Sequence, residues 1–262
     1  MQVYLEYLPS LVIGMARIYP CAILVPAFCF QHIRGMLRHV IVLVMALIPA
    51  PGIHAALQGE DYSSLMIGGL MLKEVVLGIL LGVLLAMPFW LFESVGALLD
   101  NQRGALTGGQ INPSLGPDAT PIGHMFKQLA IFLLMVTLGL GVLTQVIWDS
   151  YLIWPATTWL PLPAVGGFDV FLGVLGDTLA HMMLYAAPFI AVLLLLEFGV
   201  ALLSLYSPQL QVSSLAMPVK CLAGLAFLLL YLPLLQDLIV GRMSLLSDLK
   251  HSLGLMFQGA QP

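Results

Sequence analysis

Two stretches of this chain, residues 75–92 and 128–148, contain no charged side chain. Wound as α-helix, each is about as long as the hydrocarbon core of a bilayer is thick. Sixty per cent of the residues are apolar and 8% are charged, with a mean hydropathy of +1.02, whereas a soluble domain carries about 25% charged residues. A soluble chain of this length would have too little polar surface to cover its core. The sequence therefore predicts an all-α membrane protein, since in a bilayer a helix satisfies its own backbone hydrogen bonds. The net charge of −4 is scattered and forms no basic stripe suited to nucleic acid.

Six apolar segments meet the length requirement, near 8–30, 38–58, 64–92, 126–148, 170–206 and 215–240. The fifth is too long for one straight crossing, so it either tilts or begins as an interfacial stretch at 168–177. Arg34 and Arg38 follow the first segment, and Glu60 and Asp61 the second. Arg103 and Lys127 flank the third connection, and Asp149 and Asp169 bracket the fourth. By the positive-inside rule the first, third and fifth connections face the cytoplasm and both termini lie outside. The first residues carry Glu6 and no basic cluster, so insertion is expected from the spans themselves rather than from a cleaved signal peptide.

Pro20, Pro26, Pro49, Pro88, Pro188, Pro218 and Pro233 fall within or at the ends of the apolar segments, where each tends to kink a helix. Arg17, Lys73, Glu74, Glu197 and Lys220 also lie within or against them. A charge at hydrocarbon depth costs about 2.5–3.5 kcal/mol on insertion scales, so such groups are expected to face protein or water. Kinks and internal charges together predict a helix bundle that packs against partner subunits.

Patterns that would carry catalysis are missing: there is no HExxH, no GxSxG and no GxxxxGK[ST]. His32, His39, His54, His124, His181 and His251 are dispersed. Asp177 and His181 stand at i,i+4 on one helix face, but no third ligand is nearby, so a local hydrogen-bonded pair is expected rather than a metal site. Cys21, Cys29 and Cys221 show neither CxxC nor His spacing and read as buried free thiols. Neither enzymatic activity nor a cofactor is expected.

Lys73 and Glu74 are adjacent, and neighbouring helical positions point about 100° apart. They are therefore expected not to pair with each other but to find partners on another helix or subunit, or else to reach the interface by snorkelling. Gly78 and Gly82 form a GxxxG step that permits close helix approach. Glu93, Gly96, Asp100 and Arg103 fall near one face of a continuing third helix, with Asp100 and Arg103 spaced to pair. Residues 104–120 are rich in Gly, Asn and Pro and cannot be a long helix, and a loop of that length is usually functional or disordered. Between 207 and 220, Gln209, Gln211 and two prolines suit a turn that joins the fifth and sixth segments as a helical hairpin.

Taken in order, Lys73 and Glu74 before the Gly78/Gly82 helix, the run from Asp100 to Gly104, and the stretch from Pro208 to Lys220 resemble the FliR/SpaR/SctT family of type III export apparatus proteins. The likeness runs from the first segment to the sixth, and the Asp100–Gly104 form is similar to the virulence (injectisome) branch. The resemblance implies a core subunit of the export gate in the bacterial inner membrane, assembled with FliP/SctR-type and FliQ/SctS-type partners. FlhB/SctU-type and FlhA/SctV-type proteins would lie nearby, and unfolded secreted proteins would be the cargo. It implies a FliP-like part over 1–165 and a FliQ-like hairpin over 166–262 of a single helical membrane domain. It also places a channel plug at the loop containing Gly104, Gly108, Gly109, Asn112, Pro113, Gly116 and Pro117. Arg17, Lys73, Glu74, Glu93, Asp100, Arg103, Glu197 and Lys220 would then be charges that pair between helices or subunits. The rival from another class is a secondary transporter for a small solute, which predicts an inverted repeat not evident between the halves.

Overall fold

The structure, a computed structural model, describes residues 2–29, 33, 35–58, 63–103, 120–159, 167–206 and 212–246. Nearly all of them are helical, and no strand occurs among the described residues. The helices are α1 (Gln2–Leu24), α2 (Met36–Ala46), α3 (Ala50–Leu57), α4 (Ser64–Gln102), α5 (Pro121–Thr137), α6 (Gly141–Ile153), α7 (Gly167–Tyr206) and α8 (Val212–Ser244). Windows of α1, α4, α7 and α8 are long and apolar enough to cross a membrane, and the pairs α2/α3 and α5/α6 could each supply one broken span. The protein is thus all-α and multi-pass.

Three expected segments end or break where backbone chemistry requires it. The first stops at Leu24 rather than near 30, because Val25 precedes Pro26 and is extended, at φ −79° and ψ 114°. The second is not one helix: α2 and α3 meet at a 64° bend. Pro49 and Pro51 there remove two backbone donors that a continuous helix would need. The fourth, one of the two most uniformly apolar stretches, is bent by 82° between α5 and α6. Gly139 between them takes φ +73°, the left-handed conformation that ends a helix. Hydropathy cannot register that break, because the residue causing it is as uncharged as its neighbours.

The long helices run on instead. α4 continues past residue 92 through 39 residues, about 58 Å at 1.5 Å per residue. α7 is one uninterrupted helix of 40 residues, without a separate interfacial segment at its start. Both are roughly twice the thickness of a hydrocarbon core, so neither fits as a single straight crossing.

Packing divides the chain into two compact units that interleave along the sequence. The first comprises Met1–Met87, Leu138–Leu175 and Met243–Pro262, and the second Pro88–Thr137 and Gly176–Arg242. These units do not follow the 1–165 and 166–262 parts, a division by likeness that packing within one chain does not address.

In the first unit α1 is the central element, packed on α2 and α3 and against α4. The GxxxG step makes the α1–α4 crossing possible: a Cβ on Gly78 would fall onto the Arg17 carbonyl, and one on Gly82 would sit 3.0 Å from the Cys21 Cα. Tyr151 of α6 donates its hydroxyl to the Gly14 carbonyl at 2.7 Å.

In the second unit Gly96 of α4 and Gly123 of α5 meet backbone to backbone, with no room for a Cβ on Gly96. α7 and α8 form the expected antiparallel hairpin. Its rungs are Glu197–Lys220, the Phe189–Phe227 and Phe189–Tyr231 ring pairs, the Tyr231 hydroxyl on the Tyr185 carbonyl, and Asp177–Arg242. The connecting residues 207–211 lie outside the described residues.

Candidate functional site

The first unit holds a charge cluster sealed inside its core. Arg17 sits at mid-helix in α1 and is 1% exposed, and Glu74 of α4 is 0% exposed. The guanidinium grips the carboxylate with two parallel bonds, Nε to Oε2 at 2.7 Å and Nη2 to Oε1 at 3.0 Å. Its remaining donors reach the Ser150 hydroxyl at 3.0 Å and the Trp154 carbonyl at 2.9 Å. The Tyr151 ring lies 4.0 Å beneath the guanidinium carbon. One arginine thus ties α1 to α4, α6 and the turn after α6, with most of its donors matched, as burial demands.

Lys73 departs from expectation. Although adjacent to Glu74, it pairs with it, its Nζ lying 2.9 Å from Oε1. The four-carbon stem is long enough to curl back across the 100° between neighbouring positions. The same ammonium donates to the carbonyls of Ala156 at 2.8 Å and Thr158 at 2.9 Å. Two cations therefore share one carboxylate, and backbone carbonyl dipoles balance the extra positive charge. A cavity beside Arg17 and Ser150, also lined by Leu77, Leu81 and Trp154, has a volume of about 20 Å³. It has room for a water.

The second unit carries a clasp. Asp100, 0% exposed near the end of α4, accepts the backbone N–H of Ile122 at 2.7 Å with Oδ2, capping α5 from another helix. Its other oxygen takes Arg103, the i,i+3 pair read in the sequence, through Nε at 2.8 Å and a closer contact with Nη2. Two turns back on α4, Glu93 meets Lys127 of α5 at 2.6 Å. With the Gly96–Gly123 contact, these bonds fix residues 93–103 against 120–127. Cys221 of α8 adds a weak Sγ contact to the Arg103 carbonyl at 3.7 Å. The bracketed loop, with Gly104, Gly108, Gly109, Asn112, Pro113, Gly116 and Pro117, lies outside the described residues.

Glu197 and Lys220 pair at 2.9 Å across the hairpin, with the glutamate 57% exposed. His181 Nδ1 lies 3.0 Å from Asp177, which Arg242 also holds at 2.5 Å, so the local pair has a basic third member rather than a metal ligand. Among the described residues no three His, Cys, Asp or Glu side chains converge as a metal site. Cys21 is buried, while Cys29 and Cys221 are half-buried, and all three are free thiols.

The eight charges singled out in the sequence all find partners within the chain. The sequence did not reveal the uncharged half of the Arg17 site, Ser150, Tyr151 and the Trp154 carbonyl. The one signal was polar residues spaced just past the end of an apolar run.

The sequence matches the model of a family described as bacterial export proteins, family 1, over residues 8–246. It is similar to Yop proteins translocation protein T of Yersinia pestis, 31% identical over 220 residues that make up 83% of each chain. It is similar to the surface presentation of antigens protein SpaR of Salmonella typhimurium, 30% identical over 231 residues, 87% of this chain and 85% of that one. A more distant likeness is to the flagellar biosynthetic protein FliR of Caulobacter vibrioides, 25% identical over 226 residues, 86% of this chain and 88% of its relative.

Proposed function

The chain belongs to the bacterial export proteins, family 1, structural rather than enzymatic components of the type III export apparatus, and we propose that it forms part of the closed gate of the protein export channel. The greater likeness to the Yersinia and Salmonella proteins than to the flagellar one puts it on the injectisome branch. In this reading it sits in the bacterial inner membrane as one copy among several FliP/SctR-type and FliQ/SctS-type subunits. FlhB/SctU-type and FlhA/SctV-type proteins lie nearby, and unfolded secreted proteins are the cargo. Its parts 1–165 and 166–262 play FliP-like and FliQ-like roles in one helical assembly.

The clasp carries the gating part of the reading. A loop that plugs a channel must have its two ends held still while its middle yields. Asp100 on the Ile122 N–H, with Glu93–Lys127 behind it, supplies such an anchorage on both sides of residues 104–119. Gly104, Gly108 and Gly109 provide the backbone freedom for displacement when a chain is driven through. Energy for export comes from other components, since this protein brings no hydrolytic site.

Deleting residues 105–118 is expected to raise ion leakage across the membrane while the complex still assembles, read by conductance and by native mass spectrometry of the co-expressed subunits. Loss of assembly with no leak would make the loop a strut and overturn the plug. A monomer or homodimer of the unaltered chain under those conditions would overturn the gate reading as a whole, and leave a small-solute transporter as the better account.

A further inference from the structure

Glu74 needs only one of the two cations beside it. Arg17 already matches both carboxylate oxygens, so Lys73 brings the buried cluster a surplus positive charge. In a chain with nine Lys and Arg residues, a cation that charge balance does not require calls for another use. What Lys73 adds is a hold on the turn that leaves α6.

That turn begins where Trp154 departs from the helix in an extended conformation, at φ −131° and ψ 97°. Two of its backbone donors are met locally. The Trp154 N–H reaches the Ser150 carbonyl at 2.9 Å, and the Thr158 N–H the Pro155 carbonyl at 3.3 Å. Its carbonyls go instead to side chains of α1 and α4. Arg17 takes the carbonyl of Trp154, and the Lys73 ammonium those of Pro155 at 3.3 Å, Ala156 at 2.8 Å and Thr158 at 2.9 Å. With Glu74 Oε1 at 2.9 Å that makes four acceptors around three N–H donors, so the ammonium shares its bonds and locks none of them. One turn before Lys73, on the same face of α4, Gly69 seats the Trp159 ring, and a Cβ there would run into it. Residues 155–159 thus lie along the Gly69–Lys73 face of α4, fastened by one flexible side chain and by a ring resting on a glycine. Ala156 faces inward at 3% exposed, while Trp159 is 46% exposed.

We propose that residues 155–159 form a releasable strap across α4, pivoting at Trp154 and latched by Lys73. Swinging it out breaks side-chain contacts alone, and the local backbone bonds of the turn move with it. Arg17 keeps both Glu74 and the Trp154 carbonyl, so the pair stays balanced while its Lys73 end is uncovered. The long lysine stem then carries the freed ammonium to water. The strap rests on this chain alone, whereas a part for its release in export rests on the gate reading.

The test uses the full chain co-expressed with the membrane subunits of its secretion system. Cys21, Cys29 and Cys221 are replaced by Ala, and Ala156→Cys serves as reporter. Its thiol should react slowly with a membrane-permeant maleimide while the strap is latched. Lys73→Met is expected to raise that rate on the order of tenfold, because the bonds it removes come from a charged donor. Gly69→Ala keeps every charge and should raise the rate as well, by displacing Trp159. Unchanged labelling in both variants would overturn the latch. Release is tested by joining Gly69→Cys to Trp159→Cys with a short bifunctional thiol reagent. Bridging should stop secretion relative to the unbridged variant, with the complex still assembled by native mass spectrometry. Equal secretion before and after bridging would make the segment a static brace and overturn its release. Failure of the unaltered chain to assemble with those subunits would remove the gate reading, and the labelling rates would still decide the latch.

Discussion

The Arg17 cluster and the Glu197–Lys220 rung are both ion pairs between apolar helices, yet they differ in every respect that sets their worth. In the first, carboxylate and guanidinium are each at most 2% exposed and carry bidentate geometry with further acceptors arranged around them. In the second, the glutamate is 57% exposed and a single contact joins two flexible chains. The Asp100 clasp lies between them, a fully buried carboxylate with a partly exposed arginine and one backbone donor. In a chain so poor in charge, each retained charge has a position-dependent cost, and the surrounding donors show how it is met. The comparison therefore predicts a graded series of losses.

The largest should follow Arg17→Leu. It leaves Glu74 buried with only Lys73, and frees the Ser150 hydroxyl and the Trp154 carbonyl. Breaking one side of a buried pair costs about 3–5 kcal/mol. Thermal unfolding of the detergent-solubilised protein, or its resistance to proteolysis, should record a loss of that order. The sharper form of the test is Arg17→Leu combined with Glu74→Leu. Removing both charges is expected to recover part of the loss, since an apolar pair of similar volume can match a buried ion pair. A double variant worse than either single one would mean that the cluster orders the α1–α4–α6 packing beyond its charge balance.

Asp100→Asn comes second. The amide can still accept from Ile122, but it loses the charge that holds Arg103, and its NH₂ group faces a site built for an acceptor. Loss of a charge-assisted cap with partial burial is worth about 1–2 kcal/mol. The stability change should be accompanied by increased conductance of the assembled complex if the clasp anchors a plug. A stability change alone would confine Asp100 to a structural role.

How far the sequence could be read follows from the same contrast. Helix existence, the α7–α8 hairpin and the Asp100–Arg103 pair depend on local spacing and on the absence of charge, and both are written in the chain. The Gly78/Gly82 step likewise announced a close crossing. The bend at Pro49–Pro51 lies where Pro49 is expected to kink a helix, whereas the one at Gly139 has no counterpart in the sequence reading. The proline marks a kink without saying that it divides the segment into two helices, and Gly139 is uncharged, so a hydropathy window passes over it. The uncharged partners of Arg17 could not be read, because Ser150 and the Trp154 carbonyl are more than 130 residues away and neither carries a charge. Lys73 finds partners outside its helix, at the Ala156 and Thr158 carbonyls, and also pairs with Glu74, because side-chain length, not helical angle, decides what an ammonium can reach. The interleaving of the two packing units is likewise a tertiary property: α4 and α7 each contribute to both, and no local signal marks the change at Pro88 or Gly176 beyond those residues themselves.

The smallest effect belongs to Glu197→Gln. An exposed pair gains little, because two long side chains must be ordered to form it and the surroundings screen it, so about 0–1 kcal/mol is expected. In detergent the melting temperature should barely move, and raising the salt concentration should erase whatever difference there is, while leaving the Arg17→Leu loss unchanged. This null result discriminates because Glu197 lies on a helix that is apolar for most of its length. If that part of α7 were surrounded by lipid or by another subunit in the working complex, the pair would be desolvated, and Glu197→Gln would cost several times more in the membrane than in detergent. Measuring the same variant in both environments therefore reports where the hairpin meets water. A loss in the membrane approaching that of Asp100→Asn would move this rung from the exposed end of the series to the buried one.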